Sequence, residues 1–429
     1  MATVAALTVA GQGPARAAPL GPQFARPVLL TTDKYAGGYE PSIAVDRFNN
    51  IVITAHKQTQ TLALSPDNRS ATGVRSQSWL WTSRDGTHFT DMPGMTALQE
   101  QSAMFGDEGD VTYDDTGHIY FVDTVFTDST FSRYKATGNG KLALETTRPL
   151  GPSGQPVDDR PWIAAHGDGV VLYAANESSY TYPGGRSGDG NAYGDGRYSI
   201  YMSYNHGDTF DPLGITLNDS GWCRPAADHR AGSKLLYVVC PNNGDGNGKT
   251  GTLWSFVSKD DGRNWSRFRM GAFDQTKPMS WPTIAVGNDG SVYVMYTQGR
   301  EGGRLHLLTS KDSGRTWVGR DVTPTAGIYH FESFDVAPNG TLGLAYYHRA
   351  DANSDWFVYA ATAAPGQRFV PAKVSTQPIA SRSSNAALGD FFEIAFGPDN
   401  KLNVAWTARP DDVTSQSLLS SDVYFARQK

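Results

Sequence analysis

The chain is poor in cysteine, in excess positive charge and in long apolar runs, and each shortage excludes something. Only two cysteines, Cys223 and Cys240, occur in 429 residues, and nothing around them resembles a zinc or redox motif. No uninterrupted apolar stretch reaches the ~18 residues that suggest a membrane-spanning helix. Lys and Arg number 37 against 43 Asp and Glu, a formal net charge of −6. That argues against a nucleic-acid partner, since such binders usually carry a basic excess. Turn-forming residues, by contrast, are plentiful. The 46 Gly and 24 Pro fall below the level of a disordered chain and are spread along it, as many tight turns require.

Residues 2–18, ATVAALTVAGQGPARAA, join a small apolar stretch to Ala15-Arg16-Ala17, the A-x-A form of a signal-peptidase site. The expectation is a signal-peptide remnant or disordered tail over 1–21, a folded unit over 22–429, and a secreted, extracellular protein. The cysteines flank a hairpin centred on Ala231-Gly232, so the two thiols face each other across adjacent strands. An oxidising compartment suits a bridge between them; two buried free thiols are the alternative.

The sequence repeats in two independent ways. Ser310-Lys311-Asp312-Ser313-Gly314-Arg315-Thr316-Trp317 matches Ser258-Lys259-Asp260-Asp261-Gly262-Arg263-Asn264-Trp265, and Ser203 to Phe210 is a third copy. Worn copies follow from Thr82 to Phe89 and from Thr362 to Phe369. The Asp or Asn accepts bonds from turn amides, and the Gly supplies a backbone angle that other residues resist. Between these segments lies a strand–turn–strand unit. Its seven copies begin at Glu40, Glu108, Arg160, Arg224, Trp281, Phe331 and Phe391, in steps of 68, 52, 64, 57, 50 and 60 residues. Apolar alternation within each copy marks strands, and the period fits four strands per repeat. The expected fold is all-β: a single β-propeller of seven four-stranded blades, with six blades as the alternative. The last repeat lacks an outer strand, which RPVLLTT near residues 26–32 can supply, closing the ring and removing an exposed edge.

The seven leading residues form a column at the mouth of the channel. Glu40 and Glu108 are carboxylates, with Asp107, Asp110 and Asp390 beside them; Arg160 and Arg224 are cations; Trp281, Phe331 and Phe391 are aromatic. Carboxylates move protons or bind hydroxyls, guanidinium groups clamp a carboxylate bidentately, and aromatic faces stack on sugars. The same polar groups could instead bond channel water or form structural ion pairs. Tyr329, His330, Tyr347 and His348 approach the same rim, and the segments 57–76 and 176–197 overhang it.

The S-x-D-x-G-x-T-W segments are Asp-boxes, and the chain resembles the sialidase superfamily of BNR-repeat propellers from about residue 26 to 429. AGIYHFESFDVAPNGTLGLAYYH is similar to a late sialidase blade; it aligns Phe331 with that family's nucleophilic Tyr, and Phe has no hydroxyl. Tyr39-Glu40-Pro41 stands at the first-blade motif without its arginine. The resemblance implies a glycoside hydrolase acting on a terminal or acidic sugar, exo-α-sialidase-like. The catalytic candidates are Glu40, Glu108 and Tyr329; the substrate-binding candidates are Arg160, Arg224, Trp281, Phe331, Phe391, Tyr347 and His348. A polysaccharide lyase on uronate-containing glycans and a non-catalytic glycan- or protein-binding propeller are the alternatives. No cofactor is expected, although Glu40, Asp107, Glu108 and Asp390 could ligate Ca²⁺. The expected partner is an oligosaccharide or glycoconjugate, with no nucleic acid, no membrane span and a monomeric state.

Overall fold

One four-stranded sheet built by one repeat leaves two apolar faces bare, and the chain covers them by stacking sheet on sheet. In the computed structural model the strands form seven four-stranded antiparallel sheets, a seven-bladed propeller. The structure describes residues 21–32, 36–59, 78–91, 108–125, 128–136, 141–150, 158–177, 197–211, 215–217, 223–242, 250–277, 279–299, 303–380, 388–409 and 421–429; at some strand ends, among them Glu108 and Arg160, only the backbone is described. The innermost strands, in blade order, are Ala36–Val45, Glu108–Tyr113, Asp158–His166, Arg224–Ala227, Thr283–Val286, Ile328–Val336 and Glu393–Phe396. Among the described residues no helix is long and apolar enough to cross a membrane.

Blade seven closes as the sequence suggests. Its outer strand is Val28–Leu29, paired with Asp422–Arg427 at Val28↔Phe425 and Leu29↔Tyr424. The Ala25 and Leu30 amides extend this pairing to the carbonyls of Arg427 and Val423. The signal-peptide segment lies outside the described residues, as does most of the overhanging loops.

The core is a ring of apolar layers between neighbouring blades. Trp81, Val423 and Phe425 fill the layer between blades seven and one. Tyr120, Phe131 and Tyr173 fill that between two and three, and Trp356, Phe392 and Trp406 that between six and seven. Each Asp-box turn seals the edge of such a layer. In blade three the Ser203 hydroxyl accepts from the Gly207 amide at 2.9 Å and Asn205 accepts from the Thr209 amide at 3.0 Å. His206 and Gly207 are both left-handed, at φ 58° and 77°. A Cβ on Gly207 would stand 2.1 Å from the Phe131 ring of blade two, so glycine is required there twice over.

Innermost strands are also tied to one another by side chains. Asp110 of blade two accepts from the Ile163 amide of blade three at 2.9 Å. Ser333 and Asp335 of blade six accept from the Ile394 and Phe396 amides of blade seven at 3.0 and 2.6 Å. Glu393 of blade seven accepts from the Ile43 amide of blade one at 3.2 Å. Glu332 of blade six receives the Ser280 hydroxyl and, at 2.5 Å, that of Thr297 in blade five. In blade four Cys223 and Cys240 form a disulfide with a Cα separation of 4.3 Å, on the register that pairs Arg224 with Val239.

Burial pushes the Glu332 carboxyl up to about 7, against the two hydroxyls that pull it down. Between about pH 4.5 and pH 7 the folded state therefore holds a proton that the unfolded state releases, and stability falls as pH rises through that window. Glu332→Gln is expected to be more stable than the parent above pH 7 by about 1–3 kcal/mol. The gap should close toward pH 4.5; urea unfolding at both pH values measures it, and a pH-independent difference would refute the assignment. Replacing both cysteines by serine removes a link across 17 residues and is expected to lower unfolding free energy by about 2–4 kcal/mol, as read by denaturant titration.

Candidate functional site at the mouth of the channel

The central channel encloses about 650 Å³ and is lined by the innermost strands of all seven blades. One tier of innermost-strand residues bounds it: Asp110, Arg224, Thr283, Ser333 and Glu393 line the cavity, and Ser42 and Trp162 stand at the same level of their strands. Six of these stand four residues before the amide that closes the first turn of their blade, at Asp46, Asp114, Asp228, Gly287, Ala337 and Gly397. Trp162 joins them through its pairing with Ala174.

That register corrects one member of the sequence column. Arg224 belongs two residues deeper than Glu40, Trp281, Phe331 and Phe391. The reason is the turn of blade four: the Asp228 amide reaches Leu235, whereas in blade one Asp46 reaches Asn50. The longer loop shifts any alignment centred on the turn.

Within this tier the Ser42 hydroxyl lies 2.5 Å from Asp110 Oδ1 and 2.6 Å from Glu393 Oε2. Arg224 donates to Glu393 Oε1. Burial and then the negative charge of Glu393 raise the Asp110 carboxyl, while Arg224 opposes them. Burial raises Asp335, further down the channel, to about 6. Arg224 is also capped by aromatics, with its guanidinium carbon 3.3 Å from the Trp162 ring centroid and 5.5 Å from that of Phe391. Trp162, Trp281 and Phe391 pack on one another at 5.0 to 5.8 Å, although they come from blades three, five and seven. Three blades thus meet across the axis in a plug, and Trp281 and Phe391 are 5% and 4% exposed. Their ring faces are taken up by one another and by Arg224.

The tier above is shaped by bulges. The ladder shifts register between Tyr39 and Ser42, between Asp159 and Trp162, and between His330 and Glu332. The residues inside these bulges are Glu40, Arg160 and Phe331, three members of the sequence column. Glu40 and Phe331 are left-handed, at φ 52° and 49°. Bulges re-aim side chains, and a left-handed backbone at a non-glycine residue is a strained state that clusters at functional sites. Glu40 Oε1 accepts from the Asp390 amide at 2.6 Å, and Oε2 lies 3.0 Å from His56 Nε2. The His56 ring stacks on Tyr39 at 4.2 Å. The Glu40 amide donates to Thr407 at 3.0 Å, and the Thr407 amide donates to the Tyr347 hydroxyl at 3.1 Å. Glu40 and Tyr347 therefore belong to one chain of bonds.

The other candidates fall apart from this group. The Tyr329 ring is buried among residues of blades five and six, and its hydroxyl is bonded to Thr325 of its own loop. His348 bonds the Ala326 carbonyl at 3.0 Å and packs edge-on against Tyr329. Phe331 lies against His330, their ring centres 3.8 Å apart. The side chains of Glu108 and Arg160, and Asp107 altogether, lie outside the described residues. The Glu40–Glu108 spacing and the calcium reading thus stay on the sequence alone. Sequence reasoning missed Glu393, Ser42 and Glu332. Glu393 sits two residues past Phe391 in FFEIAF, where a lone acid inside an innermost strand is the signal.

No protein-family model matches the chain, and no curated protein matches it. Solved structures do. A protein of unknown function from Dyadobacter fermentans is 11% identical, covering 94% of this chain and 98% of its own, with a TM-score of 0.53. An α-L-arabinofuranosidase of Fusarium graminearum, solved with an iminosugar inhibitor, is 10% identical, covering 95% of this chain and 98% of its own, with a TM-score of 0.51. The sialidase of Trypanosoma rangeli, solved with sialic acid, is 13% identical, covering 95% of this chain and 59% of its own, with a TM-score of 0.45. The chain has the β-propeller fold found among glycosidases.

Proposed function

We propose that the chain is a secreted glycoside hydrolase that releases a terminal or acidic sugar at the mouth of the channel, with Glu40 as the carboxylate that acts on the substrate. The observation that carries this reading is the state of Glu40. It occupies a left-handed bulge position, and one oxygen is held by the Asp390 amide and the other by His56. A carboxylate fixed in place beside an imidazole is the kind of group a nucleophile or a general base requires. The bulge strain, of order 1–3 kcal/mol, has to be sustained by the surrounding structure. The propeller shared with an arabinofuranosidase supports a glycan as substrate class. The disulfide supports export, because such bonds persist in oxidising compartments.

Hydrolysis adds one water across the glycosidic bond. Incubation with sialosides, arabinans, uronate-containing and neutral oligosaccharides is expected to yield at least one product gaining that water in mass spectrometry. Glu40→Gln, folded by circular dichroism, is expected to lower the rate by about 10²–10⁴-fold. Unchanged turnover in that variant would remove Glu40 from the chemistry. A product without added water would identify elimination instead, and saturable binding without product would identify a binding module.

A further inference from the structure

Blades two and three meet at a second polar cluster, on the face of the first-strand turns and away from the channel mouth. Asp114 closes the first turn of blade two. Its Oδ1 accepts from the amides of Thr116 and His118 at 2.9 and 3.0 Å, which leaves Oδ2 directed at blade three. Oδ2 lies 3.0 Å from His118 Nδ1, 3.5 Å from His206 Nδ1 and 2.7 Å from the Tyr120 hydroxyl. One donor atom each from Asp114, His118 and His206 fall within 4.8 Å of one another. Ligand atoms about 2.0–2.1 Å from a tetrahedral ion stand roughly 3.4 Å apart, so the two measured spacings bracket that geometry.

The surroundings point the same way. Imidazoles that bind metal generally turn their second nitrogen to a carboxylate or carbonyl. Here His206 Nε2 faces Asp168 Oδ1 at 3.3 Å; His118 Nε2 meets Lys135 Nζ at 3.2 Å, with Glu145 Oε2 beyond it at 3.7 Å. Asp114 is fully buried, while the His118 and His206 side chains are 13% and 28% exposed, so solvent reaches the imidazoles. The His206 backbone is fixed by the Asp-box turn, and its carbonyl accepts from Arg133 at 2.9 Å. Two cations stand nearby. Arg133 is held by Glu145 and Asp208, both at 2.8 Å. Lys135 Nζ lies 3.2 Å from His118 Nε2 and also bonds the Thr116 carbonyl at 3.1 Å.

We infer that Asp114, His118 and His206 bind a divalent transition-metal ion, zinc foremost, that links blade two to blade three. Two imidazoles and one carboxylate form a borderline-soft donor set suited to zinc rather than to calcium or magnesium. In the bound state both imidazoles are neutral, with Nδ1 on the ion and the Nε2 proton facing Glu145 or Asp168. His118 takes that form by moving its proton from Nδ1 to Nε2, giving up both the Nδ1–H bond to Asp114 and the Nε2 contact with Lys135, which keeps its bond to Thr116. A water or the Tyr120 hydroxyl completes the shell.

The full chain, stripped with chelator and titrated with Zn²⁺, is expected to retain one equivalent through gel filtration and to melt at higher temperature. Co²⁺ in its place is expected to give the visible absorption of a tetrahedral ion. His206→Asn keeps a residue that tolerates the left-handed turn and is expected to weaken binding about 10–100-fold or more. Lys135→Met, which removes a nearby positive charge, is expected to tighten it about 3–10-fold. A cluster held together by hydrogen bonds alone would show neither change. No stoichiometric uptake by the parent chain overturns the assignment, as does equal affinity in the parent and His206→Asn. Should His206→Asn fail to fold, unchanged affinity in Lys135→Met overturns it instead.

Discussion

Each blade's innermost strand is a sheet edge, and among the described residues the channel it faces holds no further strand to pair with. The amides along that edge must still be met, since a buried unmet donor costs about 1–3 kcal/mol. The neighbouring blade meets them with side chains: Asp110 takes the Ile163 amide, Ser333 and Asp335 take those of Ile394 and Phe396, and Glu393 takes that of Ile43. Polar residues in the channel are thus a requirement of closing the ring. Because the ring also excludes water from them, burial raises the carboxyls of Asp110 and Asp335. Perturbed acids gathered at a channel would ordinarily suggest a catalytic site; here the same perturbation follows from how the blades are joined.

This separates two groups of acids that look alike in sequence. Asp110 and Glu393 bond strand amides, Ser42 and Arg224, and the Trp162–Trp281–Phe391 plug spans the channel beside them. Their acceptor capacity goes largely to structure. Glu40 sits two residues earlier on its strand, where the bulge breaks the ladder and turns the side chain aside. Its partners include one amide and one imidazole. A bulge is therefore the device that lets one strand present a structural residue at one level and a candidate reactive one at the next.

The fold was legible because its information is periodic. The strand–turn–strand unit recurs seven times and the Asp-box five, so a worn copy such as that from Thr82 to Phe89 is recovered from its neighbours. The closing strand at Val28–Leu29 followed from counting strands in the last blade. The site was legible only in part, because a column read from an alignment inherits the register of its turn. Blade four has a longer turn, and an alignment centred on it sets Arg224 two residues too high. The bulges at Glu40 and Phe331 left a signal only through their place in that column, because positive φ at a glutamate or phenylalanine is imposed by tertiary packing rather than by local preference. The aromatic plug could not be foreseen, since its rings meet across the axis from blades whose sequences are far apart.

The Asp-box divides labour between its constant and its variable positions. Ser, Asp or Asn, and Gly build the turn, and Gly lets it press on the preceding blade. The residue just before that Gly varies freely, since the turn asks of it only a left-handed backbone: it is His206, Asp261 and Ser313 in blades three, four and five. In each case its side chain reaches the blade behind: His206 to Asp114, Asp261 to His166 at 3.5 Å, and Ser313 to Tyr237. In these three blades the repeat thus carries a rigidly held side chain of variable chemistry into the interface. A new contact between blades, whether a hydrogen bond, an ion pair or a metal ligand, needs one substitution there and no change of fold. Reading repeats by what recurs discards this position first, and for that reason the histidine–aspartate cluster between blades two and three had no trace in the periodic pattern.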